Sequence, residues 1–222
     1  MTEPTPPRDA QRSRVYRAEA TLPGRGLPTL PDCAAFAYQV VGSLWWSDRF
    51  PHCPLDEVPK LRPGHGARHA FYREDPEGPT ITLPRRYRTT GVIIHELSHW
   101  VMRATHDLPN HGRTFTRVLL DATIEFGGAG RAKRLADGYS EHKVHVGRPA
   151  RRSPDGRWHY AWDERLRRGR DRVFLIGHAD QEGNEVFSTG ILRSRAHGKV
   201  HLQVEDGAVA IPENAIWSVV PA

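Results

Sequence analysis

The clearest hydrophobic period in the chain runs from about residue 89 to residue 104. Five apolar residues there fall at i, i+4, i+7, i+8 and i+11, on one side of a helix: Ile93, Leu97, Trp100, Val101 and Ala104. Thr89 and Thr90 are candidate N-terminal residues for this helix. The pattern therefore predicts a helix that buries this stripe in the core.

Similar periods predict helices on either side. Asp32–Trp46 is a candidate helix with Asp32 as its N-cap. A further helix ends at Gly127-Gly128, and an Arg- and Lys-rich helix follows over Ala129–Ser140. The pattern of residues 8–19, which are polar with few apolar positions, suits either a short helix or a strand.

Strands are predicted in two regions. Arg68–Arg73 and Pro79–Leu83 flank Asp75-Pro76-Glu77-Gly78, whose Pro and Gly suit a type I turn, so these two segments are a candidate hairpin. Five short strands follow towards the C-terminus: Val173–Ile176, Val186–Leu192, Val200–Val204, Val209–Ile211 and Ile216–Val220. So many short strands, separated by turn residues, predict a small β-barrel.

Together these elements predict an α+β protein with two folded parts. The first is a compact domain of helices and a small sheet over residues 8–147, and the second is the barrel over residues 173–222. We expect residues 1–7 to be a disordered tail and residues 148–172 to be a basic linker. This linker segment contains nine Arg and four acidic residues, which leaves it a local charge of +5.

Composition narrows the classes of protein to which this chain could belong. A hydrophobic fraction of 38% supports a packed core, and no apolar run is long enough to span a membrane. The chain has only two cysteines and no apolar segment near its N-terminus that resembles a signal peptide, so we expect a reducing cytoplasm. The net charge of +6 makes phosphate groups candidate partners, and Arg148–Arg172 is the candidate contact for nucleic acid.

The predicted helix over residues 89–104 carries the motif His95-Glu96-Leu97-Ser98-His99, of the form H-E-x-x-H. Two histidines four residues apart on a helix lie one turn above each other, so both imidazoles can bind one ion. The carboxylate of Glu96 is angled off the metal and can take a proton from an activated water. The motif thus predicts zinc ligands at His95 and His99 and a general base at Glu96.

A catalytic zinc site needs a third protein ligand and one open position. His106 does not match the metzincin spacing, since Met102 and Thr105 occupy the positions of the expected Gly and His. Glu125, on a later helix, is one candidate. His111 is preferred because an imidazole on a short tether, followed by Gly112, suits zinc geometry.

H-E-x-x-H followed after a short loop by His111-Gly112-Arg113-Thr114-Phe115 resembles the SprT-like zinc metallopeptidases. With residues 8–19 and 139–142, the chain is similar to an actinobacterial family of H-E-x-x-H metallohydrolases. The resemblance covers about residues 8–147. It implies a zincin-like fold with His95, His99 and His111 as ligands and Glu96 as catalyst. It also makes the strand Thr80–Leu83 a candidate for the edge strand that binds extended peptide, with an ordinary sheet strand as the alternative.

The sequence therefore predicts a zinc-dependent hydrolase, with a protein or peptide as the expected substrate, followed by a barrel that resembles SH3-like folds. Hydrolysis of another amide or ester is a close alternative. A different class of function also stays open: a nucleic-acid- or protein-binding adaptor whose zinc site is structural or vestigial. The presence of Glu96 argues against the adaptor, because a structural site has no use for a general base.

Overall fold

The computed structural model describes residues 8–22 and 24–222, so the predicted tail over residues 1–7 lies outside the described part. The protein is of the mixed α+β class, as the pattern predicts. The chain divides between Val146 and Gly147 into two compact units. No helix of the described residues is long and apolar enough to cross a membrane.

The described residues of the first unit form six α-helices and three strands. The helices are α1 (Arg12–Ala20), α2 (Leu30–Val41), α3 (Leu44–Arg49), α4 (Thr90–Met102), α5 (Arg113–Gly127) and α6 (Ala129–Glu141). The strands are β1 (Lys60–Pro63), β2 (Phe71–Asp75) and β3 (Gly78–Leu83). Residues 8–19, whose sequence pattern suits either a helix or a strand, are mainly helical.

Helix α4 is the central element of the first unit. It begins where the sequence predicts, because the side chain of Thr89 accepts a hydrogen bond from the backbone N–H of Val92. Four residues of the predicted stripe, Ile93, Leu97, Trp100 and Val101, are buried, whereas Ala104 is exposed because the helix ends at Met102. Trp100 stacks on Trp46 of α3 with the ring centroids 6.2 Å apart. His95 and Glu96 are buried as well, so this helix is enclosed on more than its core side.

The region predicted as one helix over Asp32–Trp46 is two helices. Thr29 is the N-cap of α2, and Asp32 is the third residue of that helix, where its carboxylate completes a capping box with Thr29. The chain leaves the helix at Gly42, and Ser43 caps α3 by accepting a hydrogen bond from the backbone N–H of Trp46. The predicted N-cap, Asp32, is therefore the N3 partner of the actual N-cap, Thr29.

The small sheet has the strand order β1-β3-β2. The predicted hairpin is present, with Asp75 opposite Gly78, although β2 begins three residues later than expected. Strand β3 pairs with β1 on one side and β2 on the other, so Thr80–Leu83 is central and the expectation of an edge strand there is wrong. Strands β1 and β2 are the two edges of this sheet.

The second unit contains one helix and seven strands. They are β4 (Arg151–Arg152), β5 (Trp158–His159), α7 (Trp162–Arg168), β6 (Val173–Ala179), β7 (Glu185–Ala196), β8 (Lys199–Val204), β9 (Gly207–Pro212) and β10 (Ile216–Pro221). All five predicted C-terminal strands occur, in one antiparallel sheet of order β10-β6-β7-β8-β9. Strands β10 and β9 are its two edges, so the described residues show an open sheet where a closed barrel was expected.

Residues 148–172, expected to be a basic linker, are folded. The side chains of Trp162 and Leu166 on α7 are buried in the core of the second unit with Ile176 and Val200. The guanidinium of Arg151 lies 3.7 Å from the centroid of the Trp162 ring. The two-residue strand β5 precedes α7, and Trp162 is the first residue of that helix.

Two neighbouring residues of β6 test which face of the sheet carries the core. Ile176 is fully buried, whereas Leu175, on the opposite face, is 36% exposed. Ile176→Ala should lower the free energy of unfolding of the second unit by about 2–5 kcal/mol. Leu175→Ala should cost less than about 1 kcal/mol. Urea unfolding followed by tryptophan fluorescence measures both, and equal losses would contradict this assignment of the core face.

Candidate metal centre

The structure brings together His95, His99 and His111. The first two project from successive turns of α4, and His111 stands two residues ahead of α5, whose N-cap is Gly112. One ligand atom from each of the three lies within 4.8 Å of the others. His95 and His111 are buried and His99 is half-buried, so the cluster is reached from the side of His99.

The positions of the ring nitrogens suit a single metal ion. The Nε2 atoms of His95 and His99 are 3.1 Å apart. Two nitrogens on a tetrahedral zinc, each about 2.0–2.1 Å from the ion, would be about 3.3 Å apart. Among the described residues, the buried Nε2 of His111 has no hydrogen-bond partner. A buried nitrogen without a partner is costly unless something else satisfies it, and a metal ion would do so.

Two carboxylates contact the Nδ1 atoms of two of the histidines. Both carboxylate oxygens of Glu19, on α1, lie 3.0 Å from Nδ1 of His95. An oxygen of Asp9, just before α1, lies 2.7 Å from Nδ1 of His111. A carboxylate can only accept here, so each Nδ1 is the N–H donor and each Nε2 is left to bind a metal. Neither carboxylate was identified from the sequence as part of the site.

The surroundings of the imidazoles determine their charge. Burial lowers the pKa of His95, but the carboxylates of Glu19 and Glu96 outweigh burial and raise it to about 9. Burial and the neighbouring positive charges lower the pKa of His99 well below its usual value, and burial also lowers that of His111 despite Asp9. The two carboxylates thus favour positive charge at His95, whereas His99 and His111 favour the neutral imidazole that binds a metal.

Glu96 is buried beside the cluster with only 4% of its surface exposed. The backbone N–H of Tyr72, on strand β2, donates a hydrogen bond to its carboxylate. Its Oε2 atom is buried with no hydrogen-bond partner in the described part of the chain. Burial raises the pKa of Glu96 to about 7, although the charge on His95 and the Tyr72 N–H act in the opposite direction. The carboxylate can thus exchange a proton near neutral pH.

Aromatic rings enclose the cluster from two sides. Phe115 lies beneath it, with its ring centroid 4.5–5.1 Å from those of all three histidines. Tyr16, on α1, stacks on His95 at 5.5 Å and remains 42% exposed. Arg12, one turn earlier on α1, hydrogen bonds the Tyr16 hydroxyl. Tyr16 and Arg12 therefore line the open side of the centre, a role that the sequence analysis did not identify.

The other candidate ligands lie elsewhere. Glu125 is exposed near the end of α5 and is not part of the cluster, and His106 is exposed in the loop between α4 and α5. The structure therefore places the imidazole of His111, and not the carboxylate of Glu125, beside the H-E-x-x-H pair.

Substitution of the three histidines tests the ligand set. Protein loaded with zinc and dialysed should retain about one ion per chain, and His95→Ala, His99→Ala and His111→Ala should each lose most of it because one of three ligands is gone. Metal content measured by atomic emission checks this. His106→Ala and Glu125→Ala are the matched controls and should retain the full content. Loss of zinc in Glu125→Ala would contradict the ligand set.

A second substitution tests the carboxylate behind His111. Asp9→Ala leaves Nδ1 of His111 without its acceptor, so zinc affinity at pH 7.5 should fall by about 10- to 100-fold. Competition with a fluorescent chelator measures the affinity. Asp137→Ala, which removes an exposed carboxylate from α6, should leave it unchanged. An unaltered affinity in Asp9→Ala would mean that the contact does not orient the ligand.

Comparison with known proteins identifies no relative of this chain. A scan against protein-family models, a search of curated proteins and a search of solved structures each find no match to this chain.

Proposed function

We propose that the protein is a zinc-dependent hydrolase that cleaves peptide bonds, with His95, His99 and His111 as the metal ligands and Glu96 as the general base. The observation that carries the proposal is the state of Glu96. Its carboxylate is buried beside three convergent imidazoles, and one of its oxygens has no partner among the described residues. A site that only stabilised the fold would be served by its ligands alone and would not need an unsatisfied buried carboxylate.

Zinc in a site with three protein ligands and one open position lowers the pKa of water to about 7 and polarises a carbonyl group. Three imidazoles are the donor set that such a site requires, and the half-buried His99 marks its open side. The carboxylates of Glu19 and Asp9 increase the basicity of the two ligands that they contact and fix their orientation.

Glu96 supplies the proton transfer. Its Oε2 atom accepts a proton from the attacking water, and the same carboxyl group then donates that proton to the leaving amine. The backbone N–H of Tyr72 donates a hydrogen bond that favours the charged carboxylate. A pKa raised towards 7 by burial suits a group that must both take and release a proton near neutral pH.

Arg12 and Tyr16 are suited to stabilise the negative charge that develops on the carbonyl oxygen. They stand one turn apart on α1, with the Arg12 guanidinium carbon 5.6 Å from the centroid of the Tyr16 ring. Both face the open side of the cluster, where a substrate carbonyl would approach. A guanidinium and a phenol are donors that strengthen their hydrogen bonds as the oxygen becomes an anion.

Strand β2 supports a peptide as the substrate. It is one of the two edge strands of the sheet, and it is the one whose residue Tyr72 contacts Glu96 through the backbone. An extended peptide that paired with this edge would lie beside the general base. The zincin-like fold implied by the resemblance to SprT-like metallopeptidases belongs to the same proposal, with β2 in the place first expected for Thr80–Leu83.

The adaptor alternative has less support from the basic segment over residues 148–172. Arg148 and Arg167 form ion pairs with Asp163, and Arg157 pairs with Asp155. Guanidinium groups already paired with carboxylates have less charge to offer to phosphates. Nucleic acid thus stays a secondary candidate partner, and the protein or peptide substrate is the one proposed.

Glu96→Gln separates binding from chemistry. It keeps the size of the side chain and removes the base, so zinc should stay bound while cleavage of a denatured protein such as casein falls by at least about a hundredfold. Release of acid-soluble fragments measures cleavage, and metal content is measured on the same sample. Glu125→Gln makes the same chemical change at an exposed site and should cleave at the parent rate.

Two results would count against the mechanism. Parent-rate cleavage by zinc-loaded Glu96→Gln would remove Glu96 as the base. Failure of the parent protein to cleave peptide, amide and ester substrates, with zinc fully bound, would leave the adaptor as the better account.

A further inference from the structure

A second feature of the first unit lies away from the metal ligands, in a cavity of about 480 Å³ beside the starts of α4 and α6. Three arginines contribute to its wall, Arg25, Arg131 and Arg134, and we call it the arginine cavity. The aromatic rings of Phe36 and Phe126 also line it, and no Asp or Glu is among its lining residues. Among the described residues, the cavity therefore combines three positive charges with apolar surface and no acidic side chain.

Arg131 is held in place by close packing. Its side chain reaches from α6 to the first turn of α4, where a Cβ atom added to Gly91 would lie 1.8 Å from its Nη2 atom. Any side chain at Gly91 would therefore displace the guanidinium. The positive end of the α4 dipole is at this turn, and the half-buried guanidinium of Arg131 lies beside it.

Charges of both signs act on Arg131. Burial lowers the pKa of Arg131, the carboxylate of Glu19 opposes that effect, and the neighbouring charge of Arg134 lowers the pKa again. Glu19 already accepts the hydrogen bond of His95, so its charge is shared with the metal centre. An anion in the cavity would relieve the repulsion between the guanidinium groups.

The backbone at the cavity also permits close approach of a ligand. Three glycines, Gly127, Gly128 and Gly130, lie in its wall, and α6 begins there without a side-chain cap. The first N–H groups of a helix are donors that a bound anion can satisfy. These features add to the arginines, which provide the charge.

We propose that the arginine cavity binds the phosphate group of a small molecule. Guanidinium groups bind phosphate oxygens in pairs of parallel hydrogen bonds, and three of them match a dianion better than a single carboxylate. A volume of about 480 Å³ lies within the usual range for small-molecule sites. The phenyl rings would contact the organic part of the ligand. This site is separate from the zinc chemistry and does not depend on the proposed hydrolase activity.

Titration of the full chain with inorganic phosphate tests the proposal. Saturable binding, followed by isothermal calorimetry at constant ionic strength with chloride as the competing salt, is expected. Arg25→Gln and Arg134→Gln each remove one charge-assisted contact and should weaken binding by about tenfold. Both residues are exposed, so these variants should fold even if substitution of the packed Arg131 does not. Lys133→Gln is the matched control, because Lys133 is an exposed cation on α6 that pairs with Asp137.

Phosphate could also bind at the metal centre, and the His99→Ala variant separates the two sites. If the arginine cavity is responsible, metal-depleted His99→Ala binds phosphate as tightly as the parent. Glycerol 3-phosphate compared with glycerol and with free phosphate identifies the source: tighter binding of the ester indicates a phosphorylated small molecule, and equal binding indicates free phosphate. Absence of saturable binding, equal affinity in all three charge variants, or loss of binding in His99→Ala would each overturn the proposal.

Discussion

Hydrogen bonds between imidazole and carboxylate hold the candidate metal centre together, and the arrangement of the first unit depends on them. His95 meets Glu19 of α1, and His111 meets Asp9 just before that helix. Three imidazoles packed this closely would repel one another if all were protonated. Without a hydrogen bond to Nδ1, each ring could also direct either of its nitrogens into the cluster. Because each carboxylate accepts from Nδ1, the Nε2 atoms of His95 and His111 are directed into the cluster. Helix α1 is therefore part of the site although it supplies no ligand.

The general base depends on a second tertiary contact. Helix α4 places Glu96 next to His95 in sequence, but the orientation of its carboxylate comes from the backbone of β2 at Tyr72. That contact links the proposed proton transfer to the edge strand on which a peptide could pair. Phe115 supports all three histidines from below, so the core of the first unit and the floor of the site share one side chain.

Local periodicity predicted most of the elements, and its failures have physical causes. Helix α4 and the five C-terminal strands are as expected, because a strong period or alternation determines each of them. The short strand β1 was missed because its four residues, which end in Pro63, show no alternation. The high local charge of residues 148–172 predicts a linker. Two apolar residues of α7, Trp162 and Leu166, nevertheless pack this segment into the core of the second unit. Closure of a barrel depends on pairing between the terminal strands, which no local pattern encodes.

The sequence by itself determined the helix that carries His95, Glu96 and His99, because spacing of four residues on a helix is a local geometric rule. It also indicated His111, through the short tether and the Gly that follows. Only the tertiary structure decided that Glu19 and Asp9 contact these ligands and that Tyr16 and Arg12 line the opening. It also decided that Arg25 shares one cavity with two arginines of α6. The reason is that these contacts join segments about a hundred residues apart, and their geometry is set by packing of helices and not by any pattern within one segment.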